Sequence, residues 1–87
     1  MKDTVNSMFQ MTVKDAIKVS GKTLSVGGPC VNKQKFGGRL VDESGNSFDA
    51  YVPLGKDLGI DESTILLAIK GDYSAEEFVG KTLKNAS

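Results

Sequence analysis

The sequence predicts an all-β antiparallel fold with one short helical turn near its C-terminus, on three observations. Residues 36–54 alternate: Phe36, Leu40, Phe48, Ala50, Val52 and Leu54 are apolar or small, while Arg39, Asp49 and Tyr51 suit the solvent side. That is the period of half-buried strands. The apolar runs elsewhere are short and separated by Gly, Pro, Asn, Asp and Ser, residues that turn the chain. The chain has 87 residues, enough for one domain that buries roughly 60–65% of the surface its unfolded form exposes. Every strand must therefore serve the same core.

In chain order, residues 1–7 read as a lead-in, 8–84 as the domain and 85–87 as a tail. Phe9, Met11 and Val13 share one face of a first strand. Lys14 to Val19 continue the alternation, so Ile17 and Val19 are expected to extend the inward row past a bend near Asp15. A short amphipathic helix there competes with the strand, but Ser20-Gly21 stops the pattern early. After the reversal at Gly21-Lys22, Leu24 and Val26 share a face, and β-branched Thr23 suits a pleated surface. Gly27-Gly28-Pro29 is expected to end or kink this strand, since Pro29 cannot donate to a ladder, with Cys30-Val31 able to resume it. Residues 32–35 are polar and read as a loop. The hairpin 36–54 follows, turning at 42–47, where Gly45 and Asn46 tolerate positive φ and Asp42 and Ser44 can bond nearby backbone. Gly37-Gly38 suggests a bulge.

Residues 55–62 read as a loop, with Leu58 and Ile60 expected to pin it. Residues 63–69, STILLAI, are the most hydrophobic run. Ile65, Leu67 and Ile69 point one way and Leu66 the other, as in a central strand covered on more than one side. Ser74-Ala75-Glu76-Glu77 spells a capping box. It opens one helical turn, with Phe78 and Val79 expected inward and Gly80 as the left-handed stop. Residues 81–84 fit a final strand.

Composition excludes several functions. The apolar share is 39% and the charged share 25%, ordinary for a globular domain, and no run is long enough for a membrane-spanning helix. No hydrophobic segment follows Met1, so no secretory signal is read and a cytoplasmic location is expected. Cys30 is alone and cannot form an internal disulfide. It reads as a small buried residue. With no histidine and one cysteine, neither a zinc site nor a nucleophile–base set is expected. No enzyme activity and no cofactor are therefore expected. Ser20-Gly21-Lys22-Thr23 contains the tail of a phosphate-binding loop, but that loop needs a glycine where Ala16 stands, so no nucleotide site is expected. Asp42-Glu43 and Asp61-Glu62 sit among solvating turn residues, a poor setting for catalytic carboxylates.

The net charge is zero, yet residues 14–39 carry a net +5 and residues 40–77 a net −7. Such sorting marks a binding face, or else the two halves interleave and the charges simply solvate the surface. Lys18, Lys22, Lys33, Lys35 and Arg39, with Tyr51 as the one obvious exposed ring, are the candidate partner-binding residues. One aromatic makes a thin stacking platform for single-stranded nucleic acid.

Two stretches resemble a family. Val13-x-Asp15-x-Ile17-x-Val19-x-Gly21, then Lys22-Thr23 and Leu24-Ser25-Val26-Gly27, resembles the opening of the second domain of translational GTPases of the elongation factor Tu type. The pattern there is roughly V-x-D-V-F-x-I-x-G-R-G-T, and Gly21-Lys22-Thr23 is one residue shorter. Residues 65–71 followed by 74–83 are similar to that domain's closing strand, acidic turn, glycine and last strand. Together the stretches cover about half the chain. The resemblance implies a closed six- or seven-stranded antiparallel barrel that holds a protein or RNA partner, without GTP hydrolysis, since no GTPase domain is present.

Overall fold

A computed structural model describes residues 8–53 and 63–86. The expected lead-in, the loop at 55–62 with Leu58 and Ile60, and Leu54 lie outside the described residues. Among the described residues seven strands form: β1 (Gln10–Thr12), β2 (Asp15–Ser20), β3 (Thr23–Val31), β4 (Arg39–Val41), β5 (Ser47–Tyr51), β6 (Thr64–Lys70) and β7 (Thr82–Asn85). One helical turn, α1 (Ala75–Phe78), precedes β7, and a 3₁₀ turn (Lys33–Lys35) follows β3. Every pairing is antiparallel. The sheet runs β1-β7-β4-β5-β6-β3, and β1 pairs with β3 again, so six strands close into a barrel. β2 is the seventh, paired among the described residues with β3 alone.

The barrel is filled by the rows that strand periodicity sends inward. Leu24 and Val26 of β3, Ile65, Leu67 and Ile69 of β6, and Leu40, Phe48, Ala50 and Leu83 are all buried together with Phe9, Met11 and Val13. Cys30 is buried among them. Phe78 enters from α1, whose capping box forms with the Ser74 N–H donating to Glu77 Oε1. Gly80 sits at φ +95°, the left-handed stop after the turn.

Several expectations are corrected. Ile17 and Val19 do not extend the inward row: they are 67% and 65% exposed. Met11 stands opposite Cys30, but Asp15 stands opposite Gly27. Four residues therefore advance on this side while three advance on β3. The extra residue is a bulge at Val13–Lys14, and a one-residue shift turns every following side chain to the other face. Ala16, not Ile17, packs against the core.

Gly28 makes room for the bulge. A Cβ on it would lie 1.9 Å from the Thr12 carbonyl oxygen and 3.0 Å from the Lys14 nitrogen, so only glycine fits. The bulge's own polar groups are satisfied. Val13 N–H donates to Lys81 O, Lys14 N–H to Gly27 O, and Gly80 N–H to Val13 O.

Gly27-Gly28-Pro29 does not end β3, which continues to Val31. It marks instead where one edge of β3 changes partner, from β2 to β1. Cys30 N–H donates to Ser63 O on the β6 side, so the nitrogen of Pro29, one residue earlier, faces the opposite edge. There the bulge already interrupts the ladder, and the missing N–H costs little.

The expected hairpin is shorter than its pattern. β4 begins at Arg39, because Gly38 adopts φ +93°. Phe36 instead packs edge-on against Phe9, ring centroids 5.4 Å apart. β5 ends at Tyr51, leaving Val52 37% exposed, and Val79 is 52% exposed rather than inward. The polar loop after β3 contains the 3₁₀ turn. β7 reaches Asn85, and Ala86 N–H donates to Arg39 O, so the last strand passes the expected tail boundary.

Candidate functional site

Four neighbouring strands, β2-β3-β6-β5, present an outer face that β-sheet register builds row by row. Ile17 stands opposite Ser25, Ser25 opposite Ala68, and Ala68 opposite Tyr51. The two middle positions are small and the two outer ones large. The result is a groove of about 380 Å³ whose floor is Thr23, Ser25, Leu66 and Ala68. Ile17 and Val19 form one wall; Tyr51 and Pro53 form the other. Ala68 is only 3% exposed although it points away from the barrel interior, because the walls rise on either side of it. Val19 sits in a second irregularity, where Lys18 pairs with Leu24 but Ser20 with Thr23, and joins Ile17 on the wall.

The groove is polarised along its length. At one end Thr23 pairs with Lys70, and Lys22 accepts the Gly71 N–H on its carbonyl, which places both lysines there. The Lys70 ammonium lies 5.8 Å from the centre of the Tyr51 ring, a cation–π contact. At the other end Asp15 stands opposite Gly27, and Gly27 opposite Leu66.

A second hollow, about 440 Å³, opens beside α1 and is lined by residues 46–48, Tyr73, Glu77, Phe78 and Lys81. Its rings are already engaged with each other: Phe48, Tyr73 and Phe78 meet edge-to-face at 5.0–5.4 Å. Behind it lies Asp42, 7% exposed rather than solvated in its turn as the sequence suggests. Its Oδ1 accepts the N–H groups of Ser44 and Asn46, and its Oδ2 accepts from Lys81 Nζ at 2.9 Å. The Lys81 ammonium, ahead of these amide donors, holds the Asp42 carboxyl far below the usual carboxylate range against the opposing effect of burial. Asp42, Lys81 and the turn amides are thus bonded to one another. Among the described residues no three acidic or cysteine side chains converge to hold a metal ion, and no helix is long and apolar enough to cross a membrane.

The basic residues fall into two groups. Lys18 and Lys22 lie at the Thr23 end of β3, while Lys33 and Lys35 occupy the 3₁₀ turn past Val31. The nine residues of β3, roughly 26 Å of strand, separate them. Lys18 pairs with Asp72. Arg39 is 3.6 Å from Asp49 across the β4–β5 ladder and belongs with the second group, since Asn85 bonds the Lys35 carbonyl while Ala86 bonds that of Arg39. The Lys18 and Arg39 pairs each join the basic half of the sequence to the acidic half, so the charges of the two halves interleave. Tyr51 is in neither group; it is a groove wall.

Sequence reasoning therefore missed the groove. Its early signals were separate ones: Leu66, apolar on the second face of β6, Tyr51 as an exposed ring, and Lys22, which lies at one end. Ile17 and Val19 carried no signal of their own because the bulge inverts their strand's faces.

No family model, no curated protein and no solved structure matches this chain.

Proposed function

We propose that this protein is a non-enzymatic binding module that engages a protein partner through the outer groove, and that it does so in the cytoplasm. The observation that carries this is the pair of facing walls, Ile17 and Val19 on one side and Tyr51 on the other, exposed on the outside of a barrel with a filled core. Large apolar side chains held together on an outer sheet face lose free energy to water until a partner covers them. A role in holding a partner agrees with the resemblance to the second domain of elongation factor Tu-type GTPases. The lack of histidine and the burial of Cys30 favour binding over catalysis.

A second reading is RNA binding by Lys33, Lys35 and Arg39, which share one end of the barrel. It is the weaker one, since Arg39 is paired with Asp49 and Tyr51 lies on the groove.

The test compares proteins captured from a lysate by the native chain, by Ile17→Glu and by Lys33→Glu/Lys35→Glu. A partner lost with Ile17→Glu and kept by the double lysine variant supports the groove. Titration with tRNA and single-stranded RNA across salt concentrations addresses the other reading, for phosphate contacts weaken steeply with salt. Absence of any groove-dependent partner, together with salt-sensitive RNA binding lost on changing Lys33 and Lys35, would replace the first reading by the second.

A further inference from the structure

Resting on the reading of the outer face as a partner-binding groove, we infer that its occupant is an extended segment of the partner protein. That segment is apolar in its body and places an acidic side chain at the Lys22–Lys70 end.

Shape supports the extended form. The groove runs along β3 and β6, between a wall on β2 and a wall on β5. From Leu66 to Lys70 on β6 is four residue steps, roughly 13 Å, which an extended segment of about five residues would match. The small and apolar floor residues Thr23, Ser25, Leu66 and Ala68 receive the side chains that an extended chain projects every second residue. Addition to the outer edge of β2, unpaired among the described residues, is a poorer fit, since that strand carries a bulge and bears Lys18, features that discourage edge pairing.

Charge supplies the direction. Among the described residues, Lys22 and Lys70 have no carboxylate partner, whereas Lys18 beside them is already paired with Asp72. Lys70 is held over Tyr51, so its ammonium stands where the groove ends. Asp15 marks the opposite end and favours a basic side chain there. A segment with its acid at the lysines and its base at Asp15 binds; the reversed segment meets like charges at both ends.

The experiment selects displayed random peptides of about seven residues on the immobilised full chain, with counter-selection on Ile17→Glu. Circular dichroism melting verifies that Ile17→Glu, and a second groove variant Tyr51→Ala, are folded. The expected pool has apolar residues at alternate positions and Asp or Glu at one end. A labelled peptide from that pool should bind roughly tenfold or more weakly to Lys70→Glu and Lys22→Glu. Changing the acid of the peptide to lysine should restore binding to Lys70→Glu, and Lys84→Glu on β7 should change nothing. Peptides that bind Ile17→Glu and Tyr51→Ala as well as the native chain would overturn the inference. Groove-dependent peptides indifferent to the charge exchange would do so too, as would a sedimentation shift to dimer abolished by Ile17→Glu. An empty selection alongside a captured groove-dependent partner sinks the extended-segment inference and leaves the binding module standing; an empty selection with no such partner sinks both.

Discussion

Lys81 Nζ stands 2.9 Å from Oδ2 of Asp42 and joins the turn between β4 and β5 to the entrance of β7. The Asp42 side chain is 1% exposed, and its other oxygen is occupied by two backbone amides of its own turn. The pair thus fixes a local turn to a strand 39 residues away, next to the Lys81 carbonyl that receives the bulge at Val13.

This relationship predicts an acid-sensitive fold. The folded-state pKa of Asp42 is depressed, chiefly by Lys81. Its contribution is present in full above the unfolded carboxylate pKa of about 3.9 and is lost as pH falls through that value toward the folded one. Melting temperature measured from neutral pH to about pH 2 should fall on the acid side, and Asp42→Asn should flatten that limb while lowering stability at neutral pH. Lys81→Met should raise the Asp42 pKa, read from the carboxyl carbon resonance. An unchanged acid limb in Asp42→Asn would assign the acid sensitivity elsewhere.

Leu67 is fully buried at the middle of β6, between β3 and β5. Leu67→Ala should destabilise the barrel by roughly 2–5 kcal/mol, measured from urea midpoints. A midpoint equal to that of the native chain would be incompatible with a central strand there.

Gly28→Ala tests the bulge. The added Cβ meets the Thr12 carbonyl at 1.9 Å, a backbone atom that cannot rotate away, so the cost should reach or pass the ~1–3 kcal/mol usual for overpacking. Where the variant folds, relaxing the bulge should also disturb the Ile17 and Val19 wall, seen as amide shift changes in β2. A stable variant with an undisturbed β2 would show that the bulge does not depend on Gly28.

The chain should not bind GTP. Ala16 stands where the phosphate loop needs glycine, and Gly21-Lys22 is a tight turn between β2 and β3 rather than the mouth of a helix, so no amide cradle forms. Calorimetry should give no magnesium-dependent heat at micromolar GTP; such heat would refute the assignment.

The all-β architecture was legible because it depends on local period. Leu24 with Val26, Phe48 with Ala50, and Ile65, Leu67 and Ile69 each alternate within one unbroken strand, and all are buried. The capping box before Phe78 and the left-handed Gly80 are likewise contained in a few consecutive residues. Closure into a barrel was an expectation from the resemblance, and the six closed strands agree with it.

Period fails where a residue is inserted. Nothing in the run from Phe9 to Val19 distinguishes one continuous strand from two whose faces are inverted; the bulge exists because β3 offers Gly28 opposite Val13 and Lys14. The groove likewise needs residues 17, 25, 68 and 51 to fall in one row, and Asp42 is buried only because Lys81 arrives from β7. The sequence by itself determined which residues prefer strands, turns and caps, since those preferences are paid within one turn or one pleat. Only the tertiary structure decided which face each strand shows and which charges meet, since those depend on register between segments distant in the chain.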